Sequence, residues 1–452
     1  MIHPSDQASP ASSSTSASKK TEKHGRFVRE LISVATSRIS VKIMQFVSSL
    51  IVARLLGPDG RGMVSALTVP SQLAVSVSEM GVRQSTAFHL GRKIIPLPRL
   101  QPTLLAMVPI ASAAAIVLSL IYFEFVGIAR GNWTLRILAV ATIPLSLSAS
   151  YASGVFLGQQ RIAEFRKTSW RPGFISLVLV ILLGWAAGWG IYGVMLATAG
   201  GALAASAYAL FLLGKEQPLR LGFDRAVAMQ LQRKGISYAA SLVILMLNYR
   251  VMILLLTRLG TLTDVGLYAQ AIAIAELIWE VPTMLGSLVL SRGVNAKDET
   301  LFSRKVLLLA RLAFVAAVVI SIFVGFAAKY LFPILYGHRF EQSADICILL
   351  LPGIVAFIVF KVLHIDLAGR GKPWTAMIIM VPVLVLNVAL GWVMIVRYGA
   401  MGAAVASSAC YLVATVGYVI LYNRVTGLSL RDILLPQPGD LGMIRRALPF
   451  GR

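Results

Sequence analysis

Long apolar runs recur along almost the whole chain, separated by short polar segments. Each run has about 20 residues, enough for an α-helix to cross a hydrocarbon core. The runs are continuous rather than alternating in polarity, so they predict helices and not membrane-spanning strands. We predict twelve spans, at residues 30–56, 62–90, 102–127, 134–157, 172–189, 191–213, 236–259, 265–290, 306–332, 344–368, 374–396 and 400–422.

Short glycine motifs between the spans occur twice along the chain. Segment 56–62 follows the first span and segment 259–266 follows the seventh, roughly 204 positions later. Segment 190–193 likewise returns as 399–402. The repetition predicts two similar six-helix bundles, which can rock about a shared central cavity and expose it to each side in turn. The predicted fold class is therefore an all-α polytopic membrane protein, with about twelve helices in two parallel six-helix repeats around that cavity.

Composition and charge agree with this class. Hydrophobic residues make up 57% of the chain and charged residues 13%, which excludes a soluble protein of this length. The net charge of +23 lies mostly in alternate loops, as expected for cytoplasmic loops of a membrane protein rather than for a nucleic-acid partner. This bias predicts that both termini are cytoplasmic.

The predicted domain organisation follows from the spans and loops. Residues 1–28 are rich in Ser, Ala and Lys and are predicted to be a disordered cytoplasmic tail, with no signal peptide. The other predicted units are an N-terminal bundle (29–213), a cytoplasmic linker (214–235), a C-terminal bundle (236–423) and a cytoplasmic tail (424–452). The two cysteines, Cys347 and Cys410, lie in apolar runs and predict neither a disulfide framework nor a metal site. No cofactor is expected.

Ionisable residues inside spans are costly and therefore indicate function. In span 1, Arg38, Lys42, Gln45 and Ser49 recur at i, i+4, i+7 and i+11, which places them on one helix face. Lys42 lies ~20 Å from the start of the span at 1.5 Å per residue. Span 1 itself contains no acidic residue to pair with its two cations.

Spans 2 and 8 carry polar stripes with that same spacing. The stripes consist of Gln72, Ser76, Glu79 and Arg83, and of Glu276, Glu280, Thr283 and Ser287. The repeat offset superposes one stripe on the other, which predicts that both face a hydrated cavity. Two structural alternatives remain: Glu79 and Arg83 neutralise each other, or the two span 8 glutamates serve helix packing.

Two more cations complete the candidate site. Arg250 lies near the middle of span 7, and Lys361 lies toward the cytoplasmic end of span 10, where a topological role is the alternative. The candidate substrate-binding residues are Arg38, Lys42, Gln45, Arg83, Arg250 and Lys361, and the candidate coupling residues are Glu79, Glu276 and Glu280. A cavity with unpaired cations suits an anionic substrate such as a phosphate or pyrophosphate. No catalytic or metal-ligating set is predicted.

Several segments resemble bacterial polysaccharide biosynthesis flippases. Segment 53–62 resembles their first-loop signature, and Gly266-Leu267-Tyr268, with Ala275-Glu276 and Val281-Pro282, resembles their eighth span. Segments 335–340, 351–353 and 369–373 are similar to their ninth-to-eleventh span region. The resemblance covers roughly residues 27–425, and the order and spacing of the motifs make it specific.

This resemblance carries expectations about activity. The family belongs to the multidrug/oligosaccharidyl-lipid/polysaccharide exporter superfamily, which implies a V-shaped pair of bundles and alternating access. It implies transport of an undecaprenyl-pyrophosphate-linked oligosaccharide across the bacterial inner membrane for polysaccharide (exopolysaccharide) biosynthesis, with Arg38, Lys42 and Arg250 meeting the pyrophosphate or acidic sugars. The polyprenyl-pyrophosphate lipid, membrane lipid and polysaccharide polymerase machinery are the implied partners. Met252 stands where the family often has Asp, so coupling would use Glu276, Glu280 or the membrane potential.

Three other functions compete with this one. A peptidoglycan lipid-precursor flippase would usually have two extra spans, and a cation-coupled multidrug antiporter of the same fold would favour acidic and aromatic cavity residues. A membrane polysaccharide polymerase or ligase would need a sizeable external loop, and the stretches around 127–133 and 333–343 are short. We therefore do not expect an enzyme.

Overall fold

The computed structural model describes residues 11–280, 299–370, 372 and 374–429, and the side chains of 39–280, 306–368, 370, 372 and 374–429. Within these residues the chain is helical, with no strand. The helices are α1 (Ala11–Glu79), α2 (Val82–Gly91), α3 (Leu97–Val126), α4 (Trp133–Gly158), α5 (Ile162–Leu179), α6 (Gly190–Gly214), α7 (Arg225–Leu259), α8 (Leu262–Ala275), α9 (Glu299–Tyr336), α10 (Glu341–Gly369) and α11 (Thr375–Thr426). A π-helix (Val180–Ala186) extends α5, and a 3₁₀-helix (Glu276–Trp279) extends α8.

Ten helices of the described chain are long and apolar enough to cross a membrane. Two of these helices, α1 and α11, each contain a glycine kink and thus two predicted spans. Gly57 has φ 66° and Gly399 has φ 55°, values that a residue with a Cβ adopts only with strain. The kinks fall between predicted spans 1 and 2 and between spans 11 and 12. The predicted class, all-α with about twelve spans, is confirmed.

The internal repeat is also visible in backbone geometry. Gly190 and Gly399, which begin the repeated motif, have φ of 53° and 55°. Four residues into the motif, a Cβ on Gly193 would lie 2.4 Å from the carbonyl oxygen of Leu183, and one on Gly402 would lie 2.0 Å from that of Met394. Each glycine thus lets the sixth helix of its half approach the backbone of the preceding helix.

Helix α7 connects the two halves more closely than the sequence predicts. It begins at Arg225, inside the predicted linker 214–235, because the Asp224 carboxylate caps it by accepting from the N–H groups of Ala226 and Val227. Its first turns, around Leu231, belong to the core of the N-terminal half, whereas Leu256 belongs to the core of the C-terminal half.

The predicted tail differs from the structure in a similar way. Helix α1 begins at Ala11, within the segment 1–28 that the sequence predicts to be disordered. Adding residues to an existing helix costs far less than nucleating one, so the first span can extend into this Ser-, Ala- and Lys-rich segment. Residues 1–10 and 430–452 of the two predicted tails lie outside the described residues.

The segment between α6 and α7, residues 215–224, is fastened to the start of α3, and we call it the strap. The Gln217 amide donates to the carbonyl oxygen of Leu97 over 3.2 Å, and the Arg99 guanidinium donates to the Asp224 carboxylate over 2.8 Å. This hydrogen bond from Arg99, followed by the one from the N–H of Val227, lowers the pKa of Asp224. The strap is therefore fixed to the start of α3 by hydrogen bonds.

Candidate functional site

Five charged side chains from four helices meet between the two halves. Lys42 Nζ of α1 lies 2.8 Å from Glu280 Oε1, just beyond the 3₁₀ extension of α8. The Arg250 guanidinium of α7 faces the Glu276 carboxylate through two contacts of 3.2 and 3.3 Å. Lys361 of α10 is electrostatically coupled to all four of these groups. We call these five residues the charge cluster.

Local helix geometry explains how the acids reach their partners. Glu276 and Glu280 are four residues apart, so they share a helix face, and the tighter 3₁₀ turn at Glu276–Trp279 lies between them. A stretch of 3₁₀-helix next to an α-helix often marks a functional hinge or a sequence under strain. The planar fork of Arg250 matches the two carboxylate oxygens of Glu276, a charge-assisted geometry with high specificity.

The charge cluster is only partly enclosed. The Lys42 side chain is 46% exposed and the Glu276 side chain 21% exposed, although both lie well inside predicted spans. Gln45, on the same face of α1 as Lys42, is exposed as well. These side chains are therefore not sealed inside the protein core and can be approached from outside the described helices.

The pairing corrects one expectation. The sequence predicts unpaired cations because no acidic residue of span 1 can pair with them, but the structure supplies acids from another span: Glu280 pairs with Lys42 and Glu276 pairs with Arg250. Pairing across helices depends on tertiary structure and is invisible to spacing within one helix. The backbone of Arg38 belongs to α1, and its side chain lies outside the described residues.

Lys361 is held by aromatic rings rather than by a carboxylate at ion-pair distance among the described residues. Its Nζ lies 4.0 Å from the centre of the Trp279 ring and 5.2 Å from that of Tyr249, a cation–π arrangement. The charge cluster thus contains three cations and two carboxylates. When all five side chains are ionised, the cations of the cluster outnumber its carboxylates by one.

An aromatic group beneath the cluster was missed by the sequence analysis. Tyr249, Trp279, Phe357 and Tyr411 pack with ring centres 5.0–5.9 Å apart. The Trp279 indole N–H donates to the carbonyl oxygen of Ile354 over 2.9 Å. The available signals were the position of Tyr249 beside Arg250 and of Trp279 between the two glutamates, but single aromatic residues in apolar spans usually belong to the core.

The span 2 stripe has different partners. The Glu79 carboxylate accepts from the Ser150 hydroxyl over 2.8 Å and from the N–H of Arg83. The Arg83 guanidinium lies 5.7 Å from the centre of the Phe165 ring. Both residues are thus engaged within the N-terminal half and not in the charge cluster. Thr283 and Ser287 of the span 8 stripe lie outside the described residues.

The repeated glycines of the first motif meet each other directly. A Cβ on Gly62 would lie 1.9 Å from the carbonyl oxygen of Leu262, and one on Gly266 would lie 1.9 Å from that of Pro58. The Thr263 hydroxyl donates to the Asp59 carboxylate in the same region. The two halves are therefore in backbone contact at the end of the bundle that is predicted to face outward.

Comparison with known protein families agrees with this architecture. Residues 27–291 match the family model "Polysaccharide biosynthesis protein". The chain belongs to this family. Residues 281–436 match a second family model, "Lipid II flippase MurJ". The protein is thus a multi-pass membrane transporter, and no curated protein matches it.

Solved structures show the same fold at low sequence identity. The lipid II flippase MurJ in an inward closed conformation is 14% identical, with 93% of each chain covered and a TM-score of 0.74. A multidrug resistance MATE family transporter in an inward-facing conformation is 14% identical, with 88% of this chain and 99% of that chain covered and a TM-score of 0.71. A MATE protein in complex with MaD3S is 15% identical, with 90% and 96% covered and a TM-score of 0.57. The two-repeat helical transporter fold is thereby confirmed.

Proposed function

We propose that this protein is a flippase that carries an undecaprenyl-pyrophosphate-linked oligosaccharide from the cytoplasmic to the periplasmic leaflet for polysaccharide biosynthesis. The observation that supports this most directly is the charge cluster, with three cations and two carboxylates between the halves. A net positive site at membrane depth suits an anion that must leave water to cross. The family match to polysaccharide biosynthesis proteins points to the same pathway.

The geometry suggests an order of contacts. Lys361 lies on aromatic rings without a paired carboxylate among the described residues, so its ammonium is the first cation open to a phosphate. The second phosphate then replaces Glu276 on Arg250, because guanidinium binds phosphate in the same two-point fashion as carboxylate. Lys42, together with Gln45 and Arg38 on its helix face, is proposed to meet the other oxygens or acidic sugars.

Displacement of the carboxylates gives them a role in coupling. Glu276 and Glu280, once separated from Arg250 and Lys42, are anions in a poorly hydrated site, which favours uptake of a proton or a small cation. The membrane potential also acts directly on the charged substrate. Glu79 and Arg83, engaged elsewhere, are proposed to support the N-terminal half rather than to touch the substrate.

The membrane location and the partners of the protein are proposed from its loop charges and its proposed substrate. The loop charges support an inner-membrane location with both termini in the cytoplasm. The polyprenyl-linked substrate would then be released to polysaccharide polymerase machinery on the outer side.

Complementation of a deletion strain tests the function. Wild type should restore polymer and clear lipid-linked oligosaccharide from the cytoplasmic leaflet, whereas Lys361→Met, which keeps side-chain bulk and removes the charge, should not. Lys329→Met is a matched control, because Lys329 is an exposed lysine of α9 outside the cluster. Normal polymer and no trapped intermediate in the deletion strain would refute the flippase. Full rescue by Lys361→Met at normal expression would remove Lys361 from the mechanism.

A cation-coupled multidrug antiporter is the second candidate, and one observation favours it. The Glu276 carboxylate lies beside the aromatic group that includes Tyr249 and Trp279, a combination that also suits an organic cation. Drug susceptibility of the deletion strain distinguishes the two functions. Increased susceptibility that Glu276→Gln fails to rescue, with polymer unchanged, would favour the antiporter.

A further inference from the structure

A groove lies between the first turns of α7 and other helices of the N-terminal half, next to the strap, and we call it the seam groove. It has a volume of about 380 Å³, and its walls include Met80, Met107, Ile110 and Ala114 of the N-terminal half and Met229 of α7. Ile110 and Met229 are 63% and 55% exposed. The groove is thus an apolar surface without a protein partner in the described chain.

One end of the seam groove is polar and basic. Arg225, the first residue of α7, lines this end, and Met229 and Gln232 follow at i+4 and i+7, so α7 turns one face toward the groove. The neighbouring carboxylate, Asp224, already faces Arg99 and the first N–H groups of α7. Arg225 therefore has no acidic partner among the described residues.

The dimensions match a lipid standing in one leaflet. The lining positions of α3 run from Met107 to Ala114, about 10 Å along the helix axis, and lie deeper than Arg225, which begins its helix beside the start of α3. Phe223 of the strap, 57% exposed, forms part of the same rim. A cation at the polar end and apolar walls at hydrocarbon depth are complementary to a phosphate head and an acyl chain.

We propose that the seam groove binds an anionic glycerophospholipid of the leaflet on the basic-loop side, with its phosphate on Arg225 and one acyl chain against Met107, Ile110 and Met229. The occupant joins the first turns of α7 to α3, because both line the groove. The groove has this shape while Gly81 and Gly235 are packed together: a Cβ on Gly81 would lie 2.2 Å from the carbonyl oxygen of Gly235. The lipid thus favours the arrangement in which α7 is packed against Gly81.

Lipid retention by the full-length protein tests the site. Wild type, Arg225→Gln, Ala114→Phe and the control Arg233→Gln are reconstituted in nanodiscs with equal phosphatidylglycerol and phosphatidylcholine, and lipids retained after transfer to detergent are counted by native mass spectrometry. Wild type and the control should retain phosphatidylglycerol preferentially. Arg225→Gln should weaken that preference about fivefold, and Ala114→Phe, which fills the groove, should abolish retention. Arg233 lies on the same helix, is exposed and does not line the groove.

Three outcomes overturn the proposal. Equal retention of both phospholipids, or equal behaviour of Arg225→Gln and Arg233→Gln, would show that Arg225 does not select the lipid. In a further arm, polyprenyl monophosphate is added to the nanodiscs. If it replaces phosphatidylglycerol in wild type and is lost in Arg225→Gln, the groove belongs to the path of a polyprenyl lipid instead. None of these results depends on whether the flippase proposal is correct.

Discussion

The second span of the first half and its counterpart in the second half, α8 with its 3₁₀ extension, carry polar residues in the same register. In the first half, Glu79 accepts from a serine and from backbone. In the second, Glu276 and Glu280 hold Arg250 and Lys42. The two stripes thus acquire different partners: Glu79 is held within its own half, whereas the glutamates of α8 and its extension reach α7 and α1. The difference teaches that a repeat fixes where polar groups lie, whereas the opposing helices decide whether they stabilise a bundle or form a site.

The largest effect is expected where the halves are alike. Gly62→Ala and Gly266→Ala each place a Cβ 1.9 Å from a carbonyl oxygen, and such overpacking costs about 1–3 kcal/mol. Both variants should lower the melting temperature in detergent by similar amounts. Gly325→Ala is the control, since its Cβ would meet the nearest atom at 3.6 Å. A stable Gly266→Ala beside a destabilised Gly62→Ala would break the equivalence.

Arginine removal tests where the halves differ. Arg250→Ala leaves the Glu276 carboxylate without its cation and should cost about 2 kcal/mol, together with most of the transport. Arg83→Ala loses a contact with the Phe165 ring and an attraction to Glu79, whose carboxylate keeps its hydrogen bonds from Ser150 and backbone, and it should cost only about 0.5–1 kcal/mol. Thermal unfolding and the level of cytoplasmic lipid-linked intermediate measure the two effects. If both variants behave alike, Arg250 contributes no more than Arg83, and the charge cluster is not a distinct functional site.

A binding measurement on variants that each lack one carboxylate charge compares the two halves in a further way. Glu276→Gln removes the charge that competes for Arg250, so the affinity for inorganic pyrophosphate should rise about fivefold, equivalent to roughly 1 kcal/mol. Glu79→Gln should leave that affinity unchanged, because Glu79 lies outside the cluster. Isothermal titration calorimetry on the two purified variants gives the answer. Weaker binding by Glu276→Gln would contradict competition between carboxylate and phosphate.

The smallest effect concerns the strap that connects the halves. The folded-state pKa of Asp224 is lowered by its hydrogen bond from Arg99, so its stabilisation is complete above the unfolded-state pKa of about 3.9. It is lost as the pH falls through the lower folded-state value. Asp224→Asn should therefore melt slightly below wild type at neutral pH, with the difference disappearing at strongly acidic pH. If the difference in melting temperature instead grows on acidification, the ionised Asp224 carboxylate does not stabilise the fold.

Most of the fold could be predicted because membrane helices follow from local properties of the sequence. Run length gave the spans, and the repeated glycines gave the two-bundle plan. The part of the site formed by Lys42 and Glu276 could be proposed because an ionisable residue in a span is rare. Glu280 and Arg250 were candidates for the same reason, but the pairing of these residues could not be predicted, since Lys42 and Glu280 are separated by more than half of the chain. The aromatic support of Lys361 was also missed, because a tryptophan in an apolar span looks like core.

By itself, the sequence determined the class, the twelve spans, the repeat and the charged residues that must avoid lipid, because hydropathy, glycine and charge act within one helix. Tertiary structure decided which charges neutralise each other, where Gly62 meets Gly266, and that α7 begins inside the predicted linker and joins the N-terminal core. The physical reason is distance. The free-energy cost of placing a residue in the membrane depends on that residue alone. An ion pair or a close backbone crossing exists only after separate helices have packed together.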